Sequence, residues 1–145
     1  MFKTILVPVD GSEAGFEALK KAIELQQLCA AELLILSVYR EHNLWKASVS
    51  LVNQELTGST DEALESFARE VAENGKAYAR AQGVEKVRSF YMGGGPARMI
   101  IKFSEDHHVD LIVMGGRGMS DSTRYLLGSV SHKVTNLAQC PVLVV

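Results

Sequence analysis

Apolar residues recur along this chain in two rhythms, and the rhythms alternate. Unbroken apolar stretches lie within "FKTILVPV" (residues 2–9, continuous from Ile5 to Val9), "AELLILSVY" (31–39), "VDLIVMG" (109–115) and "PVLVV" (141–145). A strand with one wet face would alternate apolar and polar residues, so these runs predict strands of a sheet that is covered on both sides. "VEKVRSFYMG" (84–93) alternates only loosely, at Val84, Val87 and Phe90, and predicts an edge strand.

Between the runs the spacing changes to three and four, the helical period. Phe16, Leu19 and Ile23, with Ala18, Ala22, Leu25 and Cys29, mark a helix over 12–31 that starts at the turn signal "DGS". Ala63, Leu64, Phe67, Val71, Ala77, Tyr78 and Ala81 mark a second over 59–83, where Ser59 and Glu62 form a capping box and Gly83 ends the helix. "GGPARMIIKFSEDHH" opens a third with Pro96 at its first position, and Val130, Val134, Leu137 and Ala138 belong to a fourth. Residues 40–58, which hold the single tryptophan Trp45, show no period and predict a long loop. The order is βαβ, loop, αβαβαβ. Such alternation predicts an α/β fold, a doubly wound, five-stranded parallel sheet with helices on both faces, in one domain spanning 1–145.

Composition narrows the functional classes. With 145 residues, 47% of them apolar and 22% charged, the chain has the makings of one self-sufficient core, and no apolar run approaches the ~20 residues of a membrane span. A net charge of -2 with dispersed lysines and arginines leaves no footprint for nucleic acid. The start "MFKTILVPVD" carries no signal-like apolar segment and reads as a first strand in a cytoplasmic protein. Cys29 and Cys140 are far apart and outside any CxxC pair, which predicts buried, reduced thiols. Adjacent His107 and His108 have no companion ligands at metal-binding spacing.

Ligands of doubly wound sheets bind beyond the carboxyl ends of the strands, where the winding reverses. Asp10, "YMGGGP" and "MGGRG" occupy such ends. "GGGPA" reads as a plain helix start, with an edge strand before it. "MGGRGMSDSTRYLLGSVS" (114–131) contains neither GxxxxGK[ST] nor GxGxxG, since residue 121 is Asp where a third glycine would stand. It does hold Gly115, Gly118 and then Gly128-Ser129 leading into a helix. Glycines admit a phosphate to backbone N–H groups and a helix start attracts it, with Ser129 and Ser131 as candidate hydroxyl donors and Arg117, Arg124 or Lys133 as candidate charges. Glycine chemistry alone is equally compatible with a turn and an ordinary cap.

The pattern G-x2-G-x9-G-[ST] after a strand ending in Met114-Gly115, with "VPVDGS", the helix-opening "PA" and the terminal "CPVLVV", resembles the universal stress protein family in its ATP-binding branch, over the whole chain. The resemblance implies the sheet order 3-2-1-4-5 and ATP or AMP as ligand. It implies that Pro8, Val9 and Asp10, with Val38 through its backbone, serve the adenine side. Met114, Gly115, Gly118, Gly128 and Ser129 would line ribose and phosphates, with Val130 and Ser131 contributing and Arg117 standing where the family often has His. Asp10 would serve the nucleoside or hold Mg²⁺. The resemblance further implies a homodimer through the terminal strand, from Val142 to Val145. The expected role is a nucleotide-dependent stress or signalling module. The alternatives are a slow ATPase or nucleotidyl-transfer enzyme, whose only evident bases are Asp10 and Asp121, and a ligand-free dimeric interaction module.

Overall fold

Strand β1 (Thr4–Pro8) has parallel partners on both sides, β2 (Glu32–Tyr39) and β4 (Leu111–Met114). β3 (Val87–Gly93) pairs with β2, and β5 (Val142–Val144) with β4, so the sheet runs β3-β2-β1-β4-β5, all parallel. The computed structural model describes residues 1–41, 54–116 and 127–145, and for residues 54–59 the backbone alone. Among the described residues four helices connect the strands: α1 (Glu13–Cys29), α2 (Gln54–Ala81), α3 (Pro96–Asp106) and α4 (Ser129–Leu137).

Successive strand side chains point to opposite faces, and this parity builds two cores. Ile5 and Val7 of β1 join Leu33, Ile35 and Val113 under α1 and α2. Leu6 joins Leu34, Leu36, Ile112 and Met114 on the other face, under Ile100 and Phe103 of α3 and Val134 of α4. Central strands apolar at every position are therefore required. Each fully covered Leu or Ile contributes about 1.5–3 kcal/mol over its exposed state.

Helix α1 starts as its sequence predicts, with the Ser12 hydroxyl accepting from Gly15 N at 3.1 Å. Phe16 departs from the expected stripe: it is 41% exposed and meets Tyr78 edge-on, with ring centroids 4.9 Å apart. Helix α2 differs more. It begins at Gln54, so residues 54–58 are helix and not loop, Ser59 lies inside it and not at its cap, and residues 42–53 with Trp45 fall outside the described residues. Its buried positions are Ala68, Ala72, Gly75 and Ala79, while Phe67 is 49% exposed and Ala63, Ala77 and Ala81 face solvent. The reason is the width of the gap over β2. A Cβ on Gly75 would stand 3.4 Å from Ile35 Cγ2, so only small residues fit between helix and sheet, and larger ones such as Val71 and Tyr78 pack at the flank.

Both cysteines are free and half-buried, and burial pushes the Cys140 thiol above its ordinary pKa, which keeps it protonated. His107 stacks on Phe103 with centroids 3.8 Å apart, a packing role at the end of α3. Among the described residues no helix is long and apolar enough to cross a membrane.

Gly75 yields a prediction with a definite sign. An alanine Cβ meets only ordinary van der Waals contacts there, and Gly→Ala inside a helix gains about 0.5–1 kcal/mol. Gly75→Ala is expected to raise the urea midpoint, whereas Gly75→Leu overpacks the gap and lowers it. A lowered midpoint for the alanine variant would mean that the gap over Ile35 is tighter than described.

Candidate functional site: a cleft at the reversal of winding

In a parallel sheet with right-handed crossovers, every helix starts at the carboxyl edge of the strands. β1 and β4 are neighbours there, yet α1 leaves β1 over one face and α4 leaves β4 over the other. The chains part, and a cleft of ≈ 270 Å³ opens between them. Pro8, Val9 and Asp10 line it from the end of β1, Val38 from β2, Met114 and Gly115 from β4, and Gly128, Ser129, Val130 and Ser131 from the start of α4. Arg117 and Gly118, with Asp121 and Arg124, lie outside the described residues.

At the end of β1, Val9 N donates to Leu36 O at 2.9 Å, the last backbone bond of β1 toward β2 among the described residues. N–H and C=O groups alternate in direction along a strand, so Val38, two residues past Leu36, presents both of its groups to the same side, beyond the end of β1. They have no backbone partner among the described residues and border the cleft. Asp10 is exposed and accepts from Ser12 N at 2.9 Å through Oδ1, a turn-type bond that leaves Oδ2 without a partner among the described residues. It is a helix-start residue and a cleft residue at once.

The end of β4 is built by close contact. A Cβ on Gly115 would lie 2.8 Å from the carbonyl carbon and oxygen of Ala14, so the backbone of β4 touches the first turn of α1. One residue on, Gly116 O accepts from Gly128 N at 2.6 Å and from the Ser131 hydroxyl at 2.9 Å, while Gly116 N donates to Val145 O at 3.2 Å. These bonds close the base of the 117–126 segment. The Ser131 hydroxyl, 3% exposed, also reaches Gly128 O at 3.1 Å, so its one proton is engaged within the chain, contrary to its expected role as a ligand donor. Ser129 is different: it is exposed, and its hydroxyl has no partner among the described residues.

Helix α4 has Gly128 as N-cap, with no side-chain cap, and its first internal bond comes from His132 N to Gly128 O at 2.9 Å. The N–H groups of Ser129, Val130 and Ser131 precede any intrahelical acceptor, and the positive end of the helix dipole stands with them at the cleft. α3 is alike, with Gly95 as an N-cap lacking a side chain and Pro96 first in the helix. Pro96 and Ile100 line the same cleft. The sequence placed this helix start away from the reversal because β3 is an edge strand. The helix crosses back over β2 to reach β4, and that crossing brings its first turns to the centre. Arg40, Leu36, Ser12 and Gly15 also border the cleft without having been marked in the sequence. Only the position of Arg40 and Ser12, just past a strand end, hinted at it.

The cleft thus combines apolar walls, free backbone groups and two uncapped helix starts, on a sheet of order 3-2-1-4-5. A family model described as the universal stress protein family matches residues 1–145. The chain belongs to the universal stress protein family. Universal stress protein YxiE of Bacillus subtilis is 38% identical over 148 residues, covering 100% of this chain and 99% of that protein. The solved structure of universal stress protein UspA from Lactobacillus plantarum matches with a TM-score of 0.85 at 26% identity, over 99% of this chain and 97% of its own. Two further solved structures share the fold: a universal stress protein in complex with cAMP (TM-score 0.70, 22% identity, 99% and 96% of the two chains) and one from Archaeoglobus fulgidus in complex with dAMP (TM-score 0.67, 16% identity, 99% and 97%).

In this universal stress protein, Gly115→Ala sets a methyl against backbone and not against a flexible side chain, so β4 and α1 must separate. The expected loss of stability is about 1–3 kcal/mol, read as a lowered urea midpoint. An unchanged midpoint would show that the two elements part freely. Ser131→Ala removes the hydroxyl that ties α4 to Gly116 and is expected to cost about 1 kcal/mol in the same measurement.

Proposed function

We propose that this universal stress protein binds an adenine nucleotide, AMP or ATP, in the cleft, and acts as a nucleotide-dependent signalling module. The observation that carries the reading is the uncapped start of α4, where N–H groups and a Ser129 hydroxyl that have no partner among the described residues border a cavity walled by Val38, Pro96 and Ile100. An anion suits the helix start and a flat apolar base suits the walls. Val38 offers one donor and one acceptor side by side, the complement of the N6–H and N1 edge of adenine. The free oxygen of Asp10 serves as acceptor for a ribose hydroxyl. The cAMP and dAMP carried by the two family structures are adenine monophosphates and support the same ligand class.

Mg²⁺ finds little in the chain's own residues. Asp10 is the only carboxylate among the described residues of the cleft, and one of its oxygens already accepts from Ser12 N. An octahedral ion would have to rely on water and phosphate oxygens for nearly all of its ligands. The geometry favours Asp10 as a nucleoside contact over a metal ligand, and no step of the proposed function passes through a metal.

We also propose that the protein pairs with a second copy through β5. One edge of β5 bonds to β4, the other faces no strand among the described residues, and Val142, Leu143, Val144 and Val145 carry no charged side chain that would discourage pairing. Leu143 is 37% and Val145 44% exposed.

Titration calorimetry of the purified, nucleotide-stripped protein is expected to give saturable binding of AMP and ATP. Ser129→Asp places a carboxylate at the first position of α4, where it favours the helix itself but opposes a phosphate, so affinity is expected to fall about ten-fold or more with the fold intact. Absence of any AMP or ATP binding to the unaltered protein would remove the proposal. Sedimentation equilibrium at micromolar concentration is expected to give a dimer, and a monomer there would overturn the pairing through β5.

A further inference from the structure

A second cavity, of ≈ 340 Å³, adjoins the cleft and lies between α3 and α4, from their first turns to Ile101 and Leu137. The two share Arg40, Pro96, Ser129 and Val130, so they are compartments of one depression whose common wall is the start of α4. Their chemistry differs. Described residues of the main cleft include Asp10 and one cation, Arg40, whereas the second compartment is lined by Arg40, Arg98 and Lys133 and, among the described residues, by no carboxylate. Ile101 and Leu137 provide apolar surface beside the cations.

What sets the three cations apart on the described surface is that they line one concavity, since Lys3, Lys76, Arg80, Lys86 and Lys102 also lack a carboxylate partner among the described residues. Lys20, Lys21, Arg69 and Arg88 pair with Glu17, Glu24, Glu73 and Glu32. Arg40, Arg98 and Lys133 are exposed and have no carboxylate partner among the described residues. Three positive side chains gathered around one concavity repel one another, and an anion placed among them removes that repulsion. The start of α3, uncapped at Gly95, adds the positive end of its dipole from the same direction.

We propose that the second compartment receives phosphate remote from the nucleoside: the distal phosphates of a nucleotide whose first phosphate rests at Ser129. This inference builds on the nucleotide reading and refines it. It makes the protein selective for ATP over AMP and assigns that selectivity to Arg98 and Lys133, two residues outside the main cleft. Arg40, at the boundary, would serve both compartments. The same chemistry would also hold free pyrophosphate.

The experiment compares AMP, ATP and inorganic pyrophosphate on the full chain and on a double variant, Arg98→Gln with Lys133→Gln. Both positions are exposed, and neutral amides of similar length keep the surface polar. In the unaltered protein ATP is expected to bind more tightly than AMP, with an advantage that shrinks as salt is added. In the variant the ATP affinity is expected to drop by about ten-fold, with AMP unchanged. Pyrophosphate that competes with ATP but not with AMP would identify the site as the seat of the nucleotide's own distal phosphates. If it remains bound beside ATP, the nucleotide's distal phosphates lie elsewhere and the inference is overturned. Equal affinity of the variant and the unaltered protein for ATP would overturn it too, as would a parallel loss for AMP and ATP. Should AMP and ATP fail to bind while pyrophosphate binds and is lost in the variant, the nucleotide reading falls and the compartment remains as an anion site.

Discussion

The contact between β4 and the first turn of α1 holds the site together. Gly115 approaches Ala14 so closely that a single added carbon would meet backbone at 2.8 Å. That approach lets β1 and β4 lie side by side while α1 and α4 take opposite faces, and it sets how far the two chain ends part. A wider gap would withdraw α4 from Val38 and Asp10. A narrower one is blocked by backbone. Cleft width is therefore fixed by the packing of the fold before any ligand is considered, which is the meaning of preorganisation at such a site.

Strand parity determines which backbone groups are left over. Leu36 turns its groups toward β1 and finds Val9, while Tyr39 turns toward β3 and its oxygen accepts from Gly94 N at 2.9 Å. Val38 has the parity of Leu36 but extends past β1, so its groups meet open space by register alone. β2 is longer than β1, at eight residues against five, and this difference creates the exposed pair. A similar shortage arises at α4, whose first N–H groups have no preceding turn to bond to. Strand-length mismatch and helix geometry leave donors and acceptors at one place.

Much of this was legible in the chain. Continuous apolar runs at Ile5 and Leu33 require cover on both faces, and the alternation with helical spacing leaves few topologies other than a doubly wound sheet. The convergence of Asp10 with Gly115 and Gly128 follows from that topology once the order is known. Three features were hidden for physical reasons. Large apolar residues of α2 read as core, whereas its buried positions are Ala68, Ala72, Gly75 and Ala79, and at Gly75 the gap over Ile35 admits only a small residue. Pro96 and Ile100 were missed because the path of a crossover helix depends on which face it takes, and a linear pattern of apolar residues does not encode that choice. Arg98 and Lys133 belong to different helices and share a compartment only through the packing of those helices.

The glycine motif itself has a double meaning. Gly115 is needed by Ala14, Gly128 is buried with its N–H bonded to Gly116, and the Ser131 hydroxyl donates to the same Gly116 oxygen. Each of these residues has a reason to be present that concerns folding alone. A chain of this fold could keep the spaced glycines and bind nothing. What distinguishes a binding site is the set of groups with no partner among the described residues: the Val38 backbone pair, the Ser129 hydroxyl and the first N–H groups of α4. Folding does not require Ser129 to be polar, since Gly128 already serves as N-cap and the hydroxyl has no partner among the described residues. Ser129 and Val38 therefore point to a ligand more firmly than the spaced glycines do.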